Sequence, residues 1–143
     1  SFVNVKITNA FIYDLYGEDE NEVIKAIEEI IDGVLNDNKN SVAIITKDSK
    51  EAEHVEKILK KKCKYKFKRI KGKEKEAKAD NIIIPSYLTK GLEFDCSIIY
   101  NPDYNTYNKE SILDQRLLYV SLTRALHNEY IIALNKITPL IKS

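Results

Sequence analysis

Ile82-Ile83-Ile84-Pro85-Ser86-Tyr87-Leu88-Thr89-Lys90-Gly91-Leu92-Glu93-Phe94-Asp95-Cys96-Ser97-Ile98-Ile99-Tyr100 places a polar stretch between two short apolar runs. Each run is too short for a helix and lacks the alternation of a half-exposed strand, so each reads as a strand buried on both faces of a parallel sheet. The stretch from Pro85 to Ser97 carries Tyr87, Lys90, Gly91, Glu93 and Asp95 at the end of a core strand. Open α/β sheets bind ligands at such a place.

Outward from this segment the same grammar repeats. Val42-Ala43-Ile44-Ile45 is a third buried run, after the polar residues 36–40. Before it, Val23, Ile24, Ile27, Ile30, Ile31 and Leu35 recur at helical spacing behind the acidic opening Glu18-Asp19-Glu20, which suits the positive end of a helix. After it, Asp48 or Ser49 caps a second helix whose buried stripe is Ala52, Val55, Ile58 and Leu59. Tyr65, Phe67 and Arg69 alternate with Lys64, Lys66 and Lys68, as in an edge strand, and Lys71 to Asp80 reads as a solvated loop. Val3, Val5, Ile7 and Phe11-Ile12-Tyr13 predict an extended start, and Glu129 to Leu134 a last strand. Ser111 to Ala125 is apolar nearly all round, which predicts a helix covered on every side. The expected fold is α/β: one domain over residues 1–143, with a doubly wound, mostly parallel sheet flanked by helices.

The 143 residues are 43% hydrophobic and 31% charged with only 4 Gly and 3 Pro, a globular balance that excludes collagen-like and low-complexity chains. No apolar run is long enough to span a bilayer, and the start lacks a signal-peptide pattern, so the expectation is a cytoplasmic protein with no membrane partner. Cys63 and Cys96 stand apart with no CxxC pair, which suggests neither a zinc site nor a disulfide framework. Methionine is absent, position 1 included, and we expect a piece of a longer protein. The net charge of +1 hides an uneven distribution, because residues 1–40 carry 3 basic against 9 acidic groups and residues 41–80 carry 14 against 7. The run from Lys60 to Lys75 could meet phosphates by counterion release, or could be a solvated lysine-rich face.

The chain spends lysine freely but contains arginine only at 69, 116 and 124, and two of these fall in the Ser111–Ala125 segment. That choice points to a need for the guanidinium fork. A semi-buried Arg124 requires an anion, either a ligand phosphate or a local carboxylate such as Asp95 or Glu93. His54 and His127 have no nucleophile or second histidine at useful spacing and read as surface or structural residues.

The segment from Ile84 to Asp95 resembles motif V of superfamily 1 helicases of the UvrD/Rep type, and Gln115-Arg116-Leu117-Leu118-Tyr119-Val120-Ser121-Leu122-Thr123-Arg124-Ala125 resembles their motif VI. Val42 to Lys47 is similar to an earlier strand of the same domain, so the resemblance covers residues ~40–135. The wording of motif V is closest to the DNA helicase IV or HelD-like branch, whose Gram-positive members associate with RNA polymerase.

This resemblance implies a C-terminal RecA-like domain of the P-loop NTPase type. It implies that Arg124 is an arginine finger for ATP held with Mg²⁺ mainly on the N-terminal RecA-like domain of the same protein. It also implies that Glu93 bonds the nucleotide sugar, with Lys90 beside it and Gly91 allowing close backbone approach; Gly91 as a plain turn residue is the other reading. Tyr87 falls where the family usually has a histidine facing single-stranded DNA, and with Lys47 and Thr89 it makes up the implied nucleic-acid contacts. Pro85 stands where the family has Thr, and Lys47 where it has Arg. A GxxxxGK[ST] phosphate loop and an Asp-Glu pair after a strand are both lacking, so ATP would not be held fully by these residues. The expected function is a motor domain of an ATP-dependent DNA helicase or translocase acting on single-stranded or duplex DNA, idle by itself, with a polar interdomain face around Lys90, Glu93 and Arg124. The rival is a non-enzymatic α/β module that docks RNA polymerase or another protein.

Overall fold

The computed structural model describes residues 5–6, 10–37, 41–72 and 81–142. In chain order the elements are β1 (Val5–Lys6), β2 (Ala10–Asp14), α1 (Glu20–Asn36), β3 (Val42–Thr46), α2 (Ser49–Lys62), β4 (Lys68–Arg69), β5 (Asn81–Pro85), β6 (Phe94–Tyr100), α3 (Ile112–Leu122), β7 (Ala125–Ala133) and β8 (Ile141–Lys142). Six strands form a parallel sheet in the order β2-β7-β6-β3-β5-β4, and β1 pairs in parallel with β8 apart from it.

Every residue of β3 is buried, as its unbroken apolar run requires, because β3 lies between β5 and β6 with helices over one face and α3 over the other. Alternate side chains feed two cores. Val42, Ile44, Ile83, Cys96 and Ile98 meet the apolar stripes of α1 and α2, whereas Ala43, Ile45, Ile82, Ile84, Ile99 and Ile131 meet Leu118 and Leu122 of α3. Each fully buried isoleucine contributes roughly 1.5–3 kcal/mol. Asp19 caps α1 by accepting the Asn21 N–H, and Asp48 caps α2 by accepting that of Glu51. Leu35, expected in the buried stripe of α1, is exposed in its last turn.

Three expectations change shape. Helix α3 stops at Leu122 and Arg124 lies beyond its cap, and the helix is covered on one side: Ile112, Leu113 and Tyr119 are each more than half exposed. A helix laid on one sheet face has no second layer outside it. The edge strand shrinks to Lys68–Arg69, since the segment before it is pinned to α1 instead: Glu28 accepts the Lys64 N–H at 2.7 Å and Asp32 accepts the Tyr65 hydroxyl. Strand β7 starts at Ala125, four residues before the predicted Glu129, because Ala125 pairs with Phe94 next to a bulge in β6. The loop predicted over residues 71–80 lies largely outside the described residues.

The connection from β5 to β6 has no α-helix. A short 3-10 turn at Ser86–Leu88 and the residues to Glu93 cross on the α3 side of the sheet, with Leu88 and Leu92 packed into that core.

Candidate functional site

The 86–93 crossing is built by its own hydrogen bonds. Buried Ser86 donates its hydroxyl to the Lys47 carbonyl at 2.8 Å, fastening the end of β5 to the end of β3. Thr89, with 0% exposure, donates its backbone N–H and its hydroxyl to the Ser86 carbonyl, and Leu92 N–H returns to the Thr89 carbonyl. Gly91 turns the chain at φ +82°, a left-handed conformation that glycine adopts without cost. The Phe94 N–H then donates to the Arg124 carbonyl at 3.0 Å.

Register gives the crossing its length. Ile45 lies beside Ile99, so Thr46 is level with Tyr100, six residues along β6 from Phe94. At about 3.3 Å per residue the two ends are ~20 Å apart. The predicted residues therefore fall into two groups: Lys90, Gly91, Glu93 and Arg124 at the amino-terminal ends of β6 and β7, and Lys47 and Tyr87 at the carboxyl ends of β3 and β5.

In the first group, Arg124 follows the cap of α3. Its Nη1 donates to the Leu92 carbonyl at 3.4 Å and its Nη2 to the Thr123 hydroxyl at 3.0 Å, while its Nε is buried with no hydrogen-bond partner. Among the described residues no carboxylate lies within ion-pair distance of this guanidinium. Asp95, one of the two expected local partners, turns to the Ser41 N–H at 3.1 Å and to His127 Nε2 at 3.7 Å. Glu93, the other, is exposed, as are Lys90 and Gly91. The face is less polar than expected. Leu126, two residues past Arg124, is more than half exposed, as is Tyr119 on α3, because their side of the domain has no covering layer.

In the second group, Tyr87 is 53% exposed and its hydroxyl lies 2.7 Å from Ser49 Oγ. Lys47 points inward. Its ammonium lies 2.8 Å from Asp114 Oδ1, donates to the Thr106 carbonyl and sits 5.2 Å from the centre of the Tyr107 ring. Thr89 is sealed in the turn. Lys47 and Thr89 thus brace this end, and their side chains are taken by internal partners. The Lys47 N–H donates to Glu51 at 2.9 Å, and burial pushes the Glu51 carboxyl up to about 7. A cavity of about 490 Å³ opens between the β3–α2 connection and the segment after β6, lined by Lys50, Glu51, His54, Asn105 and Thr106 among others. The chain leaves β3 toward β4 through α2 on one face and leaves β6 toward β7 through α3 on the other. This is the switch point of the sheet. Ser49, Lys50 and Asn105 are not among the predicted site residues; the sequence marks Ser49 only as a candidate helix cap, and Lys50 lies next to it.

Among the described residues there is no group of three or more His, Cys, Asp and Glu that could hold a metal ion. No helix of the described residues is long and apolar enough to cross a membrane.

No protein-family model and no curated protein sequence matches the chain. Among solved structures it is similar to the C-terminal domain of a possible DNA helicase from Lactobacillus plantarum, at 25% identity and a TM-score of 0.79, over 93% of this chain and 78% of that one. The C-terminal part of the Fun30 ATPase domain is 14% identical with a TM-score of 0.49, over 76% of this chain and 39% of that one. The Hef helicase domain of Pyrococcus furiosus is 15% identical with a TM-score of 0.48, over 78% and 24%. Those two likenesses are too weak to bear on its function. The chain has the RecA-like α/β fold found in a helicase C-terminal domain.

Proposed function

We propose that this chain is the C-terminal motor domain of an ATP-dependent superfamily 1 DNA helicase or translocase of the UvrD/Rep type, akin to the DNA helicase IV and HelD branch. The observation that carries the reading is Arg124. A guanidinium with a buried, unpartnered Nε and, among the described residues, no carboxylate within ion-pair distance stands next to the Gly91–Glu93 turn, at the sheet end opposite Tyr87. The half-buried guanidinium spends its two Nη groups on neutral oxygens, the Leu92 carbonyl and Thr123 Oγ1, so its charge is left for an anion, and a phosphate on a second domain is an anion that comes and goes.

In this reading the preorganised Arg124 fork stabilises negative charge developing on a transferring phosphoryl group, and because it arrives from a separate domain it links hydrolysis to domain closure. Glu93, exposed on the same turn, accepts from a sugar hydroxyl, and Gly91 keeps side-chain bulk away from the nucleotide. Lys90 adds a second cation. ATP and Mg²⁺ belong mainly to the N-terminal RecA-like domain, which would carry the phosphate loop. Tyr87 offers an exposed ring to a base of single-stranded DNA. Arg124→Ala in the full-length protein is expected to lower DNA-stimulated ATP hydrolysis by about 10³-fold or more, with nucleotide binding retained. Undiminished stimulated hydrolysis overturns the assignment.

The exposed Ile112, Leu113, Tyr119 and Leu126 favour a second reading, a module that docks RNA polymerase or another protein. A phosphate loop upstream in the parent gene selects the motor, and its absence selects the module.

A further inference from the structure

Tyr87 occupies one end of a surface that continues across the carboxyl edge of the sheet. Tyr87 follows β5, Ser49 and Lys50 follow β3, Asn105 follows β6 and Lys136 follows β7, and these four strands are consecutive neighbours in the sheet. At ~4.8 Å per strand the row is about 15 Å long. The switch-point cavity and a second groove of about 760 Å³ both have Asn105 in their lining, so the two lie side by side along this edge. The second groove is bounded by Tyr104, Asn108, Lys109, Lys136 and Pro139.

Charge and shape differ along this path. In the switch-point cavity Lys47 and Lys50 are matched by Asp48 and Glu51, and the Lys47 ammonium is already held by Asp114. The second groove has two lysines and no acid in its lining; Glu110, next to Lys109 in sequence, does not line it. Neither Lys109 nor Lys136 has a carboxylate within ion-pair distance among the described residues. Tyr104 is 51% exposed and lines the groove. Its walls are preformed. Tyr104 N–H donates to the Lys136 carbonyl at 3.2 Å, Thr138 N–H to the Pro102 carbonyl at 2.8 Å, and Asp103 bridges to Ile137. An aromatic ring sharing a groove with two lysines that have no carboxylate partner among the described residues, on a rigid frame, suits a stacked base with its flanking phosphates.

We infer that a single DNA strand meeting Tyr87 runs on across the switch point into the groove of Tyr104, Lys109 and Lys136, which forms a second stacking and phosphate subsite. The inference rests on the nucleic-acid reading of Tyr87, and its test separates the two. Oligo(dT) is titrated into the isotope-labelled 143-residue chain while backbone amide resonances are followed, with Tyr104→Ala and the double variant Lys109→Gln, Lys136→Gln alongside. Both variants lie at the surface, and their amide spectra report the fold directly. The expected result is perturbation of Ser49 and Tyr87 together with Tyr104, Asn105 and Lys136, about tenfold weaker binding for Tyr104→Ala, and a log–log salt slope smaller by about 1.4 for the double lysine variant. Perturbation confined to Ser49 and Tyr87 overturns the subsite and leaves the Tyr87 reading intact. Perturbation confined to the groove supports the subsite and removes Tyr87 from the path. No perturbation at either end overturns both. If inorganic phosphate alone reproduces the groove shifts and Tyr104→Ala binds oligo(dT) normally, the groove is an anion site and the strand path is overturned.

Discussion

The Lys47 ammonium lies 2.8 Å from Asp114 Oδ1 and ties the end of β3 to the first turn of α3. The Asp114 carboxylate also accepts the Asn108 N–H at 2.9 Å, and the Asp114 N–H donates to the Ser111 hydroxyl, so one residue joins the β3 edge, the segment after β6 and the start of the helix that leads to Arg124. The side chains are 20% and 13% exposed, too buried for water to replace a lost partner fully. Lys47→Ala and Asp114→Ala are each expected to cost about 3 kcal/mol, and the double variant less than their sum. Urea unfolding of the four proteins in the cycle measures the coupling.

Gly91 combines φ +82° with open space where a Cβ would stand, so any cost of substitution is a backbone cost. Gly91→Ala should lower stability by about 1–2 kcal/mol, and Gly91→Asn by less, because asparagine tolerates the left-handed region better. Denaturation midpoints for the two variants decide whether conformation or packing governs this turn.

Glu129 sits in β7 beside Ser97 of β6 and Ala10 of β2, and desolvation pushes its carboxyl up to about 8, with Oε1 buried and unpartnered. The folded chain therefore holds a proton that the unfolded chain releases near 4.5. Between about pH 4.5 and 8 the folded state binds more protons, so stability falls as pH rises, by up to about 1.4 kcal/mol per pH unit from this group. Glu51, pushed up to about 7, adds to the same slope below that pH. Glu129→Gln should flatten the dependence and stabilise the chain at pH 8, as unfolding curves across this range would show.

Helix α2 runs back along the sheet from Ser49 beside Tyr87, so Lys60, Lys61 and Lys62 in its last turn lie ~20 Å from the Tyr87 end. Lys61 is 3.4 Å from Glu20, and the nearby Lys64 is 3.1 Å from Asp32. Neutralising Lys60, Lys61 and Lys62 should leave oligo(dT) affinity within about twofold, whereas Tyr87→Ala should weaken it by about 1–3 kcal/mol. Affinity measured across a salt series distinguishes the two variants.

Much of the frame was legible because burial on both faces leaves a strong mark. Val42 to Ile45, Ile82 to Ile84 and Ile98 to Tyr100 are all strands, and Ala52, Val55, Ile58 and Leu59 are the buried stripe of a helix capped at Asp48. Periodicity failed where apolar residues face outward. Ile112, Leu113 and Tyr119 look like core in a helical pattern, yet a helix with one neighbouring layer cannot bury its whole circumference. The short partnership of β1 with β8 was invisible for another reason, since it joins the two ends of the chain.

The sequence by itself determined which segments become strands and helices, because apolar runs, caps and turn residues act over a few neighbours. It also singled out Arg124, Gly91 and Glu93, through arginine scarcity and motif wording. Tertiary structure alone decided that Arg124 meets no carboxylate among the described residues while Lys47 is consumed by Asp114, and that Tyr87 and Glu93 face opposite ends of the sheet. It also decided that Asn105 lines two neighbouring cavities. Those outcomes turn on which distant residues meet, and a charge is spent or left available according to its neighbours in space rather than along the chain.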